Sequence, residues 1–458
     1  MPFKDEFASY TPLRRILDSK KVQALQARYK IKIINEKEEK EEFKKYLVRK
    51  ADLPKSKWSP EMILAIDGSR QEAPVDNGFP GAEIGYVTVA SVLILIDKIK
   101  KLEKNDFIDP KKFRETEKAS TIDSVFPGSN VIIDNEKSAK GSMRKALFEE
   151  LKNSIIFSEG ETLLDTYEAL LKIKLDKGIS HDAKSPIEGI EKEMTYGYGV
   201  FECPYSKEPL YSSDAMRLHE LMEPSGTNLQ MYTQIMGMLE KLWLIHILRA
   251  FEKKNWLSTL RQVAFVLDGP LACFSTWSWL NKSITDELRR INEAQKKING
   301  QDLLIIGIEK SGMFYDHFVR KDTDKDGNPG NFPNGSAFLL SDSYIKKNII
   351  YSDSSKPYGE DTYFGRKIFY KTTSGYKIVP VIAFFDSEEQ DMDKVSLDQF
   401  PRLNDIMNLL DDLVSSRYQD SVMPLISAHA EAAIPLNLGK RLFEDIAREI
   451  RDRPAQNE

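Results

Sequence analysis

Residues 62–70 read MILAIDGSR, a short apolar run from Met62 to Ile66 that ends in an acid, two small residues and a base. Consecutive apolar residues bounded by a turn signal read as a buried strand. An aspartate at the mouth of such a strand is costly unless a cation, a hydrogen-bond donor or water meets it. Asp67-Gly68 is also an ordinary turn dipeptide, and for this stretch alone that reading suffices. A second copy of the pattern changes the weighing. Residues 263–271, VAFVLDGPL, again run from apolar residues into an acid and a glycine, Asp268 and Gly269. If the two strands lie side by side in one sheet, Asp67 and Asp268 come together, and neither carboxylate ionises cheaply without a cation between them. A hard divalent ion, Mg2+ or Mn2+, meets that demand because it prefers oxygen ligands.

The chain around these strands has 458 residues, 41% hydrophobic and 30% charged, enough for one large elaborated core. Its net charge of -5 and pI near 5.8 do not announce a nucleic-acid partner, which would need a local basic groove. Cys203 and Cys273 lack a CxxC spacing, which argues for packing residues in a reducing compartment and against a zinc site or disulfide framework. The first residues, MPFKDEFASY, carry no apolar signal region, and no run approaches the length that spans a bilayer. A cytoplasmic protein with no membrane association is expected.

Residues 11–50 are helix-rich, and NEKEEKEEFKKYLVRK carries mixed charge at helical spacing, the pattern of a solvated helix face. Prolines 54 and 60 separate this part from the first strand, so the chain divides into a helical N-terminal arm, 1–58, and a main domain, 59–458. EIGYVTVASVLILI, from Glu83, reads as a further strand. The lysine-rich stretch 98–206 reads as an insertion or lid. Residues 229–253 are apolar on nearly every face and form a buried helix. Beyond Asp268 come a helical stretch, a strand LLIIGIEK ending on Lys310, a β-rich FGRKIFYKTTSGYKIVPVIAFF, a helix around 401–416, RYQDSVMPLISAHAEAAIP and a last helix, LGKRLFEDIAREI. Strands mixed with helices in this way predict an α/β domain with a central mixed sheet flanked by helices.

Asp67 and Asp268 lead the candidates for chemistry. A third acid is offered by the buried helix, where Glu240 stands among Ile235, Met236, Met238, Leu239, Leu242 and Trp243. A buried glutamate marks function in many sites, and the other reading is a carboxylate that snorkels or pairs with Lys241. Glu220, Glu223 and Glu252 stand behind it. Of five histidines, His246 lies in the buried helix and His181, His219 and His317 in polar segments, which leaves His429 in SAHAEAA as the candidate ligand, although a lone histidine is more often structural. Lys310 ends its strand as the aspartates end theirs, and reads either as a phosphate contact or as a surface lysine. Residues 322–327, DTDKDG, open like an EF-hand loop, but the bidentate glutamate position is Pro333, so they read as a surface turn. No GxxxxGK[ST] phosphate loop is present.

The ordered set IDGSR, a glutamate-bearing helix, LDGPL, IGIEKS and RYQDSVMPLISAHAEA resembles the NurA nuclease family over most of the chain, from about residue 62 to 450. The resemblance implies an RNase H-like core and DNA cutting with Mn2+ or Mg2+, two ions per site. It places the family's aspartates on Asp67 and Asp268, its glutamate on Glu240 and its histidine on His429, as metal ligands, with Lys310, Tyr418 and Ser69 at other family positions. YQDSVMP has extra residues where the family places Tyr-Pro, and the 98–206 stretch is longer than in compact members. The resemblance also implies a homodimer that docks on HerA, a ring-shaped DNA-translocating ATPase, in DNA end processing or defence against phage. Such a motor would explain a chain without an ATP site. Two other readings use the same residues. One is an RNase H-like scaffold that binds DNA ends or a motor without cutting. The other is an actin-like or sugar-kinase-like phosphotransferase, for which LDGPLACF makes a poor phosphate loop.

Overall fold

The computed structural model describes residues 11–29, 36–96, 117–155, 160–323, 330–386, 389–414 and 423–433. The chain divides into two compact units, Met1–Tyr46 and Leu47–Glu458. The first contains helices α1 (Thr11–Leu17), α2 (Lys20–Gln26) and α3 (Glu36–Tyr46). Lys44 and Lys45 stand in the last turn of α3, where positive charge complements the helix dipole.

The second unit is a mixed α/β fold built on one large mixed sheet. Its strands are β1 (Leu47–Arg49), β2 (Met62–Pro74), β3 (Glu83–Leu95), β4 (Glu117–Pro127), β5 (Val263–Asp268), β6 (Leu304–Glu309), β7 (Ser336–Leu339), β8 (Gly365–Lys371) and β9 (Lys377–Ala383). They lie in the order β1-β7-β8-β9-β6-β5-β2-β3-β4. β2, β3 and β4 form an antiparallel meander. β5 runs parallel to β2, and β6 parallel to β5. The remaining neighbours pair antiparallel.

Two positions differ from the sequence expectations. β2 does not stop at Asp67 but continues to Pro74, because β3 pairs with it along its whole length, including Asp67 with Ala90. Only the parallel edge stops there: the β2–β5 ladder ends at Ile66 opposite Leu267. Within the stretch 98–206, Glu117–Pro127 is the sheet's edge strand β4, and helices α4 (Ala139–Asn153) and α5 (Leu163–Asp176) follow it. Their Met143, Leu147, Leu151, Tyr167 and Leu170 belong to the main core. Helix starts are chemically marked here. Ser138 accepts from the Gly141 N–H at 3.0 Å, and Thr162 with Asp165 forms a reciprocal capping box.

Helix α6 spans Leu229–Lys253 and buries residues on all sides, as a helix apolar all round must. It packs on β2 and β3, and its buried side chains share one core with Leu64, Ile66, Val87, Val89, Phe265 and Leu267. Two glycines let it approach closely. A Cβ on Gly85 would lie 2.2 Å from the Tyr232 ring, and one on Gly68 would lie 2.6 Å from both Glu240 Oε1 and Met236 Cγ. Tyr232, Met236 and Glu240 are spaced i, i+4 and i+8, so one helical stripe rests on the two bare positions. Among the described residues of the unit, further α-helices are α7 (Leu280–Asn299), α8 (Met313–Asp322), α9 (Asp342–Asn348), α10 (Leu403–Leu413) and α11 (Met423–Ala432). Strand side chains alternate between faces, so Asp67 points away from α6, to the side where α11 packs on β2 and β3.

Of the EF-hand-like stretch 322–327, Asp322 and Thr323 lie among the described residues. Asp322 is fully buried; Lys371 donates to it at 2.8 Å, Lys377 at 3.1 Å and the Phe332 N–H at 3.0 Å. Two lysines thus take the carboxylate that would otherwise invite a calcium ion; residues 324–329 lie outside the described residues. So do Tyr418 and the last helix suggested by the sequence. No helix among the described residues is long and apolar enough to cross a membrane.

Candidate active site

At the end of β5 the backbone leaves β2. Gly269 takes a left-handed φ of 77° and donates its N–H to the Ile308 carbonyl at 2.8 Å, turning the chain toward β6. A crevice outside the carboxyl ends of parallel strands is where open α/β sheets bind ligands. Asp67 and Asp268 stand there, each one residue beyond the last β2–β5 pair. Their side chains are fixed alike: the Gly68 N–H donates to Asp67 Oδ1 at 2.8 Å, and the Gly269 N–H to Asp268 Oδ1 at 3.1 Å.

The second oxygen of each aspartate faces a basic side chain. His429 Nδ1 lies 3.0 Å from Asp67 Oδ2, and Lys310 Nζ donates to Asp268 Oδ2 at 3.0 Å. The Gly-x-x-Lys pattern acquires a reason in this contact. A Cβ on Gly307 would lie 2.5 Å from the Gly269 carbonyl oxygen and 3.0 Å from the Leu271 nitrogen. Only a bare α-carbon lets the turn after Asp268 cross β6, and that crossing brings Asp268 within reach of Lys310.

Glu240 reaches the same place from the opposite side of the sheet. Its Oε1 fills the space that Gly68 leaves open, and its Oε2 accepts from Lys241 Nζ at 2.7 Å. Glu240 thus pairs with Lys241 and at the same time adds its charge to the surroundings of Asp67. Exposure grades across the site. Glu240 and Lys241 are buried and Asp67 is 4% exposed, whereas the His429 side chain is 64% exposed. Burial, and next the charges of Asp268 and Glu240, push the Asp67 carboxyl up to about 7, while His429 pulls it down.

Asp67, Glu240, Asp268, His429 and Lys310 are thus brought together. Glu220 and Glu252 are held instead by Arg217 and Arg290, each at 2.6 Å. The other four histidines are all buried, including His181, His219 and His317, which the sequence placed in polar segments. His246 meets the Thr166 hydroxyl, His181 meets Lys174 and the Ala215 carbonyl, and His317 meets the Tyr344 hydroxyl. Cys203 and Cys273 are buried free thiols. Sequence reasoning missed the roles of Gly68 and Gly307, whose only signal was a glycine inside an apolar strand.

Matched against known families, the sequence fits the NurA domain over residues 61–434, most of its length. The chain belongs to the NurA family. No curated protein matches the NurA chain. Among solved structures it is similar to the NurA nuclease of Sulfolobus solfataricus, at 10% identity and a TM-score of 0.34, covering 98% of this chain and 100% of that one. A second NurA structure is 11% identical at a TM-score of 0.30, covering 98% and 99%.

As they stand, no three His, Cys, Asp or Glu side chains among the described residues are gathered so that they could hold a metal ion. In this NurA chain the carboxylates hold intramolecular partners instead. The donor chemistry nevertheless suits a hard divalent cation: three carboxylates and one imidazole. Burial first, and then the neighbouring charges of Asp268 and Glu240, raise the Asp67 carboxyl, and a cation beside it would offset both. The residues fit such an ion once side-chain partners exchange.

Proposed function

We propose that this NurA chain is a metal-dependent DNA nuclease with an RNase H-like core. The observation that carries the reading is the convergence of Asp67, Asp268 and Glu240, on three different elements, at the open end of the parallel strands. The order β4-β3-β2-β5-β6, an antiparallel meander continued by two parallel strands, is that of an RNase H-like core and supports the fold assignment. A relative in the family is described as a nuclease.

Asp67, Asp268, Glu240 and His429 would hold Mn2+ or Mg2+, which supplies a water acidic enough to attack and positive charge against the phosphate. The amides of Gly68 and Gly269 hold one oxygen of Asp67 and of Asp268 in place before substrate arrives. Lys310, a third exposed, can turn its ammonium from Asp268 to a phosphate oxygen. His429, on the solvent side of Asp67, is placed to pass a proton to water. A homodimer working with a HerA-like translocase, in DNA end processing or defence against phage, completes the proposal. A scaffold that binds without cutting would fit a chain whose Glu240 and His429 stood apart from the aspartates; here both adjoin Asp67.

The test is cleavage of end-labelled linear and circular DNA in Mn2+, Mg2+ or EDTA, with and without the translocase. Cutting should need the metal and vanish in Asp67→Ala and Asp268→Ala. Retained cutting by pure, folded Asp67→Ala would sink the reading.

A further inference from the structure

β2 outlasts its parallel neighbour. The β2–β5 ladder ends at Ile66, yet β2 runs on beside β3 to Pro74. Beyond Asp67 its second edge therefore faces the place that a continued β5 would fill, a slot one extended chain wide, since neighbouring strands lie about 4.8 Å apart. Just past β2, the Val75 N–H meets the Ala82 carbonyl at 2.8 Å on the β3 side, so by alternation Gly68, Arg70 and Glu72 turn their backbone N–H and carbonyl groups into the slot. There the Gly68 N–H meets the Asp67 carboxylate, and no strand among the described residues pairs with this edge. Burial agrees: Ile63 to Asp67 are buried, whereas every residue from Gly68 to Glu72 is half-buried, without the alternation of a strand open on one face.

Helix α6 is the floor of the slot. Met236 lies against Gly68 on one side. On the other, a Cβ on Gly237 would be 3.8 Å from Trp277 Cζ2, and Trp277 donates its Nε1–H to Gln234 Oε1 at 2.9 Å, which seats the single turn Ser275–Trp277 on the helix. Consecutive helix residues thus reach both walls, so the slot admits one chain and not a duplex. Arg70 shares with Gly68 the face of β2 that is turned to α6. Its Nε–H donates to the Thr233 hydroxyl, and no carboxylate among the described residues pairs with it, which leaves its two Nη groups for an acceptor from outside. Ser69 and Gln71 flank it without charge, and the first acid past the site along β2 is Glu72, held by the Thr227 hydroxyl at 2.6 Å. Arg70 stands about 10 Å along the strand from Asp67, a distance that one or two nucleotides of an extended strand cover. We propose that the slot seats one unpaired strand of the DNA, and that Arg70 binds a phosphate one or two nucleotides from the scissile bond. A guanidinium forks onto two oxygens of a phosphate, and backbone N–H groups on the open edge are further phosphate donors. This rests on the nuclease reading and adds to it the form of the substrate: the strand is unpaired where it passes β2.

The experiment uses the full chain and a short single-stranded DNA cut at a mapped bond in Mn2+, prepared as a set in which each member carries one uncharged methylphosphonate at a different linkage. Affinity is read separately, by fluorescence anisotropy with Ca2+ in place of Mn2+, for the unmodified strand and for the same sequence as a blunt duplex. On the native chain, one uncharged linkage within two nucleotides of the cut bond should slow cutting about tenfold, the scale of a charge-assisted hydrogen-bonded pair. Arg70→Gln should be slower by a similar factor and indifferent to that linkage, and Arg70→Lys should restore part of both the rate and the sensitivity. Arg70→Gln should also weaken the single strand and not the duplex, and lower the salt slope of single-strand binding by about 0.7. Should Arg70→Gln fail to fold, Thr233→Val, which removes the anchor of the guanidinium, should blunt the same sensitivity. A native chain indifferent to every linkage, an Arg70→Gln chain as sensitive as the native one, or an equal loss of affinity on the duplex would overturn the inference and leave the nuclease reading standing. No cutting by the native chain in any metal would sink the nuclease reading alone; unchanged single-strand affinity in Arg70→Gln would then overturn the inference as well.

Discussion

Replacing the buried Asp67 carboxylate by an amide should stabilise the metal-free protein, and the gain should depend on pH. Burial beside Asp268 and Glu240 raises the Asp67 carboxyl from the ordinary 3.8 to about 7. A carboxyl whose folded value lies above its unfolded value favours folding while protonated and opposes it once ionised. The penalty is absent below about pH 4, grows between 4 and 7, and is complete above 7. Each tenfold in a protonation equilibrium is worth about 1.4 kcal/mol, so the full penalty is about 4 kcal/mol and that at pH 5 about 1.5. Asp67→Asn removes it at every pH. The amide oxygen can still accept from Gly68. The stability difference between variant and native protein should therefore grow by about 2.5 kcal/mol from pH 5 to pH 8. With an unfolding entropy of about 2.1 cal/mol/K per residue, a chain of this size shows that as a Tm change of about 3 °C. Thermal melts in EDTA at the two pH values read it directly. In saturating Mn2+ the order should invert at pH 8, because only the native site gains binding energy. A difference that stays constant or shrinks between pH 5 and pH 8 would refute the argument.

Three further substitutions probe how the site is built. Gly68→Ala would set a Cβ 2.6 Å from Glu240 Oε1 and Met236 Cγ; overpacking of this kind costs about 1–3 kcal/mol, and a lowered Tm together with a loss of cutting is expected. Gly307→Ala meets backbone at 2.5 Å, the Gly269 carbonyl, so it should displace the turn after Asp268 and cut activity more steeply than Gly68→Ala; a crystal structure with the Asp268–Lys310 contact unchanged would count against this. Arg144→Met leaves the buried Asp214 without its paired donors at 2.7 and 2.8 Å, which should lower stability by about 3–5 kcal/mol in denaturant unfolding, while the metal stoichiometry of whatever stays folded is unchanged.

What was legible in the sequence was what repeats locally. Two apolar runs ending in Asp-Gly announced neighbouring strands, and the structure pairs Ile66 with Leu267 just before both acids. The helix over Leu229–Lys253 was legible because no face of it offers a polar stripe to water. What failed was anything set by a partner far along the chain. Nothing in MILAIDGSR says that β2 runs on to Pro74, since that depends on β3 pairing with every residue of it. Asp322 read as part of a surface turn because its partners, Lys371 and Lys377, lie on the second and third strands that follow it in the chain. The same reasoning explains why Glu240 was ambiguous as a letter and is not ambiguous as an atom. An acid beside a lysine on a helix can be a surface pair or a site residue, and the deciding fact is where a missing Cβ lets it go. Gly68 opens one oxygen of Glu240 toward the aspartate beside it, and Lys241 closes the other. The glycine of the Asp-Gly-Ser pattern therefore does more than turn a chain: it is the gap through which a helix on one face of the sheet contributes charge to a site on the other. A family motif read as a strand ending is better understood as a thin place in a continuous strand.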